Sequence, residues 1–270
     1  MRIALCFSGH IRDLEETKLF WTELIEKYKM DIYASFWDIE NEELGDTLNN
    51  FLTIYTPKKY EIDNYKIFKE TTQDIASLHI DPPKMLAPIF IDTSKEFRQL
   101  SMYYKVWKCN NLSKELGIQY DLVIRARTDI VLDENFRIEK NNMLNVPMGR
   151  IKAVSWDNSR AINDCFAYGI PKIMDYYSFV FLRAMEYLNS GHYLIPAEYL
   201  LLVHFTKIHI QIRYFPTYMI ITRVWKGGEH EYYNNYITHA TESIEWSDSY
   251  DTKPHITGKF NKDIKDDFIV

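Results

Sequence analysis

Glycine and proline are scarce in this chain, nine of each in 270 residues, which excludes collagen-like and low-complexity architectures. No Gly-x-Gly-x-x-Gly follows the first apolar run and no Gly-Lys-Ser/Thr loop occurs anywhere, so dinucleotide-dependent dehydrogenases and P-loop NTPases are poorly supported. Cysteine is rare too. Cys6, Cys109 and Cys165 are scattered, lack metal-ligand spacing and sit inside apolar patterns, so reduced core thiols are the expectation. Basic residues do not predominate: 32 Lys and Arg against 38 Asp and Glu leave a net charge of -6, which is unsuited to a nucleic-acid surface. A single phosphorylated ligand needs only a few convergent cations and stays compatible with that balance. No apolar run approaches membrane length, and Arg2-Ile3-Ala4-Leu5 already reads as a buried strand rather than a signal peptide. A soluble, cytoplasmic protein is expected.

Aromatic residues are abundant, with 20 Tyr, 15 Phe and 6 Trp, enough for a thick core and also for clefts that take sugars or nucleobases. Those near the C-terminus leave room for a homodimer interface. The length suits one large α/β domain. Ile3 to Phe7 reads as a strand closed by Ser8-Gly9, and Asp13 with Glu16 reads as a helix N-cap. Leu14, Trp21, Leu24, Ile25 and Tyr28 keep helical spacing, and residues 30–37 read as a second strand ending at Asp38, completing a βαβ unit. Further on, the pattern predicts a strand at 57–62, a proline-marked loop around Pro82-Pro83 and Pro88, and a helix ending at Leu116-Gly117. A strand at 121–131, shorter strands at 151–154 and 165–169, helices at 171–188 and 196–207, and a β-rich stretch at 209–224 follow. The expected organisation is a single domain over 1–246, with a nucleotide-binding half of about 1–133 and an acceptor half of about 134–246, followed by an extended polar tail at 247–270.

Alternating strands and helices predict an open, mostly parallel, Rossmann-like sheet flanked by helices, in which ligands bind beyond the carboxyl ends of the strands. Three polar clusters fall there: Ser8-Gly9-His10-Ile11-Arg12, Trp37-Asp38, and the end of Tyr120-Asp121-Leu122-Val123-Ile124-Arg125-Ala126-Arg127-Thr128-Asp129. Read as one strand, the last segment puts Val123, Arg125, Arg127 and Asp129 on one face and Leu122, Ile124 and Ala126 on the other. Two cations and a carboxylate on one face suit a diphosphate; an ion-pair network in which Asp129 merely holds Arg127 is the alternative.

The stretches Ala4 to Arg12, Asp31-Ile32-Tyr33 with Trp37, Ser101-Met102-Tyr103-Tyr104-Lys105, Tyr120 to Asp129 and Asn163 to Gly169 resemble those of nucleotide-sugar glycosyltransferases from surface-polysaccharide gene clusters and large DNA viruses, which are similar to GT-A fold enzymes. The resemblance covers roughly residues 1–210. It implies a GT-A-like sheet with a C-terminal extension, a nucleotide-sugar donor and a carbohydrate or glycoconjugate acceptor. It also implies that Asp129, at the last position of an Asp-x-Asp motif, binds Mn²⁺ or Mg²⁺. Arg127 stands where the first acidic residue of that motif is expected, leaving one carboxylate for the metal and allowing Arg125 or Arg127 to neutralise the diphosphate directly.

The remaining candidates have paired readings. Arg12 could meet an anion together with free helix N–H groups or pair with Glu15 or Glu16. Ser8 and Gly9 would let a base or ribose approach the backbone closely, or simply form a tight turn. Trp37 could stack on a base or fill the core, and Lys105 could reach phosphate or snorkel to the surface. For the acceptor, an inverting transferase needs a carboxylate base, for which Asp164 and then Glu198 are the candidates. Asp164 could instead be a turn residue beside Asn163, and Glu198, in the first turn of a helix, is expected to have its pKa lowered by the helix dipole. His204, His209, His230 and His239 are weaker candidates as late metal ligands. The functional expectation is a glycosyltransferase; a non-catalytic carbohydrate- or nucleotide-binding module and a sugar nucleotidyltransferase are the alternatives.

Overall fold

The chain opens as the predicted strand, helix and strand: β1 (Ile3–Gly9), α1 (Leu14–Tyr28) and β2 (Asp31–Asp38). A computed structural model describes residues 1–38, 42–76, 93–133, 136–147, 162–189, 197–208, 210–215 and 219–221. The expected proline loop at 82–88, the strand at 151–154 and the polar tail at 247–270 lie outside these residues. Leu14, Trp21 and Leu24 form the buried stripe of α1, as their helical spacing requires. Lys29 ends the helix in the left-handed conformation, with its N–H bonded to Glu26 and that of Met30 to Ile25. Asp13 occupies the N-cap position but caps nothing with its side chain. Its backbone is left-handed (φ 45°), unlike the extended backbone that aims a capping side chain at the first turn, and its carbonyl accepts from Thr17 instead.

The chain continues through α2 (Glu42–Tyr55), β3 (Lys59–Asn64), α3 (Tyr65–Ala76), α4 (Thr93–Glu115), β4 (Leu122–Ala126), β5 (Ile130–Leu132), β6 (Leu144–Pro147) and β7 (Phe166–Gly169). The described part then closes with α5 (Pro171–Asn189), α6 (Ala197–Thr206), β8 (Ile212–Phe215) and β9 (Met219–Ile221). Proline begins α5 as expected, and Gly117 turns the chain after α4 with a φ of 65°.

Seven strands form one mixed, mostly parallel sheet in the order β3-β2-β1-β4-β7-β6-β8. The pairs β1 with β2, β2 with β3, β1 with β4 and β6 with β8 are parallel; β7 runs antiparallel to both β4 and β6. Alternate residues of the parallel strands divide the core. Ile3, Leu5, Phe7, Leu122, Ile124 and Ala126 pack toward α1 and α2, whereas Ala4, Cys6 and Val123 pack toward α4, α5 and α6. The result is a helix-flanked, Rossmann-like α/β fold. No helix among the described residues is long and apolar enough to cross a membrane.

The single strand expected at 121–131 is two strands in two sheets. β4 ends at Ala126, Arg127-Thr128-Asp129 turn away, and β5 pairs with β9 in a separate two-stranded sheet. The Arg127 N–H still continues the ladder to β7, donating to the Cys165 carbonyl at 3.1 Å, and the chain leaves the main sheet at Thr128, whose hydroxyl is engaged by the loop between β1 and α1. Within β4 itself, Val123 and Arg125 occupy the predicted face.

Candidate functional site

β1 leads through α1 to β2 on one side, and α4 leads into β4 on its other side, so the crevice beyond these carboxyl ends lies where strand order reverses. Gly9 closes β1 at a φ of 113°, a backbone open to glycine and strained for other residues. Ser8 is buried with its Oγ unpartnered, and the next polar ring, His10, lies against Tyr65 with centroids 5.8 Å apart and its buried Nδ1 also unpartnered. Thr128 ties this loop to the turn after β4: its Oγ1 accepts the Arg12 N–H at 2.9 Å and lies within donating distance of the Arg12 carbonyl, at 3.1 Å. Thr17 donates to the Thr128 carbonyl at 2.7 Å, locking α1 to the same turn.

Arg127 and Asp129 meet across that turn. Arg127 Nε donates to Asp129 Oδ1 at 2.7 Å and its Nη2 donates to Oδ2, a bidentate pair. Asp129 is the inner member, with its side chain 1% exposed against 15% for Arg127. Burial works against the guanidinium charge, but Cys165, Asp129 and Asp164 outweigh it and hold Arg127 protonated. Lys105 is fully buried, its Nζ 2.6 Å from Asp63 Oδ2 and 4.3 Å from the centre of the Trp37 ring. Burial lowers its pKa, opposed by Asp63 and Glu61. Trp37 is 1% exposed and stacks on Tyr104 at 5.4 Å, so it serves as a core ring carrying Lys105. Asp38 accepts from Asn64 Nδ2 and the Tyr65 N–H, which fixes the start of α3.

His10 registers the field of this region. Burial lowers its pKa, the charges of Arg12, Arg127 and Lys105 lower it further and Asp129 opposes them; together they bring it down to about 4. At neutral pH the ring is neutral, beside three cations. Neither His10 nor Thr128 was singled out as a functional residue from sequence, although both lie inside the motifs quoted. A lone histidine in a polar loop carries no spacing signal.

A second group lies on the helix side of β4. Arg125 is 2% exposed; its Nη1 donates to the Cys165 carbonyl, while Nε and Nη2 are buried without a partner. The turn into β7 is made by Asn163, whose Oδ1 accepts the N–H groups of Cys165 and Phe166 at 2.8 and 2.9 Å. Asp164 is thereby relieved of the turn role, and its Oδ1 lies 3.2 Å from Cys165 Sγ. The Ile162 N–H donates to the Glu198 carbonyl at 3.3 Å, bringing this turn to the start of α6. Tyr103 donates to the Ala197 carbonyl at 2.6 Å and Tyr177 to the Asn163 carbonyl at 3.1 Å, so two buried rings brace the same junction.

Glu198 departs from its sequence expectation. Burial, and secondarily the charge of Asp164, push its pKa up to about 7, overriding the lowering expected from its place in the first turn of α6. The structure thus brings together the two carboxylates nominated from sequence. Cys165 joins them to the first group: its carbonyl takes both the Arg127 N–H and Arg125 Nη1, and the charge of Asp164 reaches Arg127 as well as Glu198.

The residues present do not fit the expected Mn²⁺ or Mg²⁺. Such ions need several oxygen ligands, whereas both oxygens of Asp129 are bonded to Arg127. No three His, Cys, Asp or Glu side chains converge on a metal position among the described residues. His204 is a satisfied core residue: Tyr187 OH lies 2.6 Å from Nδ1 and the Tyr176 carbonyl 2.7 Å from Nε2. His209, His230 and His239 lie outside the described residues.

A cleft of about 300 Å³ lined by Lys114, Gly117, Tyr120, Pro171 and Asp175 lies elsewhere, near the amino end of β4. Its charged pair, Lys114 and Asp175, is closed at 2.9 Å, and no convergent cations line it. The chemistry therefore favours the opposite end of the strand. The chain matches no protein-family model and no curated protein, so the site is read from its own geometry.

Proposed function

We propose that this chain is a glycosyltransferase that moves a sugar from a nucleoside-diphosphate donor to a hydroxyl of a carbohydrate or glycoconjugate. The observation that carries this reading is the joining of a cationic strand-end group, Arg12, Lys105 and Arg127 around neutral His10, to a carboxylate pair that holds Glu198 near pH 7. The first suits a diphosphate and the second suits a base. The GT-A identity of the fold rests on the sequence resemblance over residues 1–210 and on this placement at the carboxyl ends of a Rossmann-like sheet.

In the inverting form of the reaction, deprotonated Glu198 takes the acceptor hydroxyl proton as its oxygen bonds to the anomeric carbon. The bond from that carbon to the diphosphate oxygen breaks, and its electron pair leaves with the nucleoside diphosphate. Arg127 and Arg12 offset the charge that develops there, a role in which removal of one preorganised donor typically costs roughly 10²- to 10³-fold in rate. Burial, and secondarily the charge of Asp164, raise the proton affinity of Glu198 toward the value at which a base works best near neutral pH.

Incubation with UDP-, GDP- and CMP-sugars and a panel of sugar acceptors tests the proposal. Nucleotide release that requires Glu198 is the expected result. Nucleotide binding without turnover for every donor and acceptor would identify a binding module, and pyrophosphate release from a nucleoside triphosphate and a sugar phosphate would identify a nucleotidyltransferase.

A further inference from the structure

We propose that Arg127, held by Asp129, is the resident counter-cation of the diphosphate subsite, so that the protein binds a nucleoside diphosphate without a divalent metal. This rests on the donor reading above and deepens it. Three observations carry it. Asp129 is the buried member of its pair and Arg127 the more exposed one, so the guanidinium stands between the carboxylate and solvent. A metal reaching Asp129 would have to displace Arg127, removing a bidentate partner from a buried carboxylate and leaving a mostly buried guanidinium to find another.

Charge is the second. A divalent ion would enter a field in which Arg12, Arg127 and Lys105 outweigh Asp129 at His10, whereas a diphosphate enters with the opposite sign. Geometry is the third. Asp129 binds Arg127 through Nε and Nη2, while Nη1 makes only a 3.7 Å contact with Cys165 Sγ and keeps donor capacity for phosphate oxygen. Unpartnered His10 Nδ1 and Ser8 Oγ add hydrogen-bonding capacity at the same strand end. The carboxylate in this arrangement carries a guanidinium where a metal-dependent site would carry an ion. Asp129 is accordingly a positioning residue.

Calorimetric titration of the full chain with UDP and GDP, in EDTA and then in Mn²⁺, decides the matter. The expected result is that the nucleotide with the preferred base binds in EDTA with an affinity within about threefold of that in Mn²⁺. Arg127→Gln combined with Asp129→Asn keeps an uncharged, similarly shaped pair and is expected to lose at least about tenfold in affinity. Arg12→Gln, at an exposed position, is expected to weaken binding several-fold and to flatten its salt dependence. Binding that appears only with Mn²⁺, and that Asp129→Asn abolishes, would overturn the inference while leaving the transferase standing. Absence of binding by any nucleoside diphosphate, with or without Mn²⁺, would overturn both.

Discussion

Arg127 stays charged although it is mostly buried, because Asp129 lies against it; Glu198, also largely buried, sits beside Asp164 and holds its proton up to about pH 7. Burial opposes charge in both places: at Arg127 the opposite charge of Asp129 overcomes it, whereas at Glu198 the like charge of Asp164 adds to it. The strand-end group is thereby kept cationic and the α6 group is kept poised to exchange a proton. The two regions meet at Cys165, whose carbonyl serves an arginine from each.

The sharpest way to break the comparison is to remove the proton acceptor and leave the cations. Glu198→Gln is expected to lower turnover about 10²- to 10⁴-fold, with nucleotide affinity unchanged, as read by steady-state rates alongside calorimetric titration. An equal fall in affinity would mean that Glu198 belongs to the donor site.

The next test uses stability. Glu198 binds its proton more tightly in the folded chain than the ordinary carboxylate value of 4.5 allows unfolded, so stability falls as pH rises from about 4.5 to about 7 and is level above that. The expected loss is about 2 kcal/mol, and Glu198→Gln abolishes it, which urea unfolding at pH 5 and pH 8 measures directly. Activity runs the opposite way, rising through about pH 7 as the base ionises.

Asp164→Asn separates the two causes of the Glu198 shift. The midpoint of the activity profile moves down, yet stays above the ordinary carboxylate value because burial, the larger cause, remains. A midpoint that does not move would show that the two carboxylates are uncoupled. The smallest effect belongs to His10. Its folded pKa lies below its ordinary value, so stability is lost as pH falls from about 6.5 to about 4; His10→Gln removes that loss, on the order of 1 kcal/mol after allowance for its partial exposure. Thermal unfolding at pH 7 and pH 4.5 reads the difference.

Much of the scaffold was legible before folding was considered. The spacing of Leu14, Trp21 and Leu24 specifies α1, and Ser8 to Arg12 falls at the end of β1 because an apolar run stops there. Pro171 and Gly117 mark helix ends by backbone geometry alone. The turn at Arg127-Thr128-Asp129 was not legible. Val123, Arg125, Arg127 and Asp129 alternate as a strand should, and the break comes at Thr128, which bonds to the β1 loop and to α1, both far away in sequence. The antiparallel direction of β7 was hidden in the same way, since four alternating residues read alike in either direction. Lys105 could equally have snorkelled; only the fold places Asp63 beside it.

Helix phase, strand ends and turns followed from the chain itself, because they depend on residues a few positions apart. The nomination of Arg12, Arg127 and Asp129 drew on the same local pattern, and that of Asp164 and Glu198 on what the resemblance implies for an acceptor base. Their charge states did not follow. The proton on Glu198 depends on burial at the start of α6 and on Asp164, and the guanidinium in front of Asp129 depends on a turn held by the contacts of Thr128 with the β1 loop and α1. Electrostatic energies depend on distance and solvent exposure, and for residues far apart in the chain both exist only once it has folded.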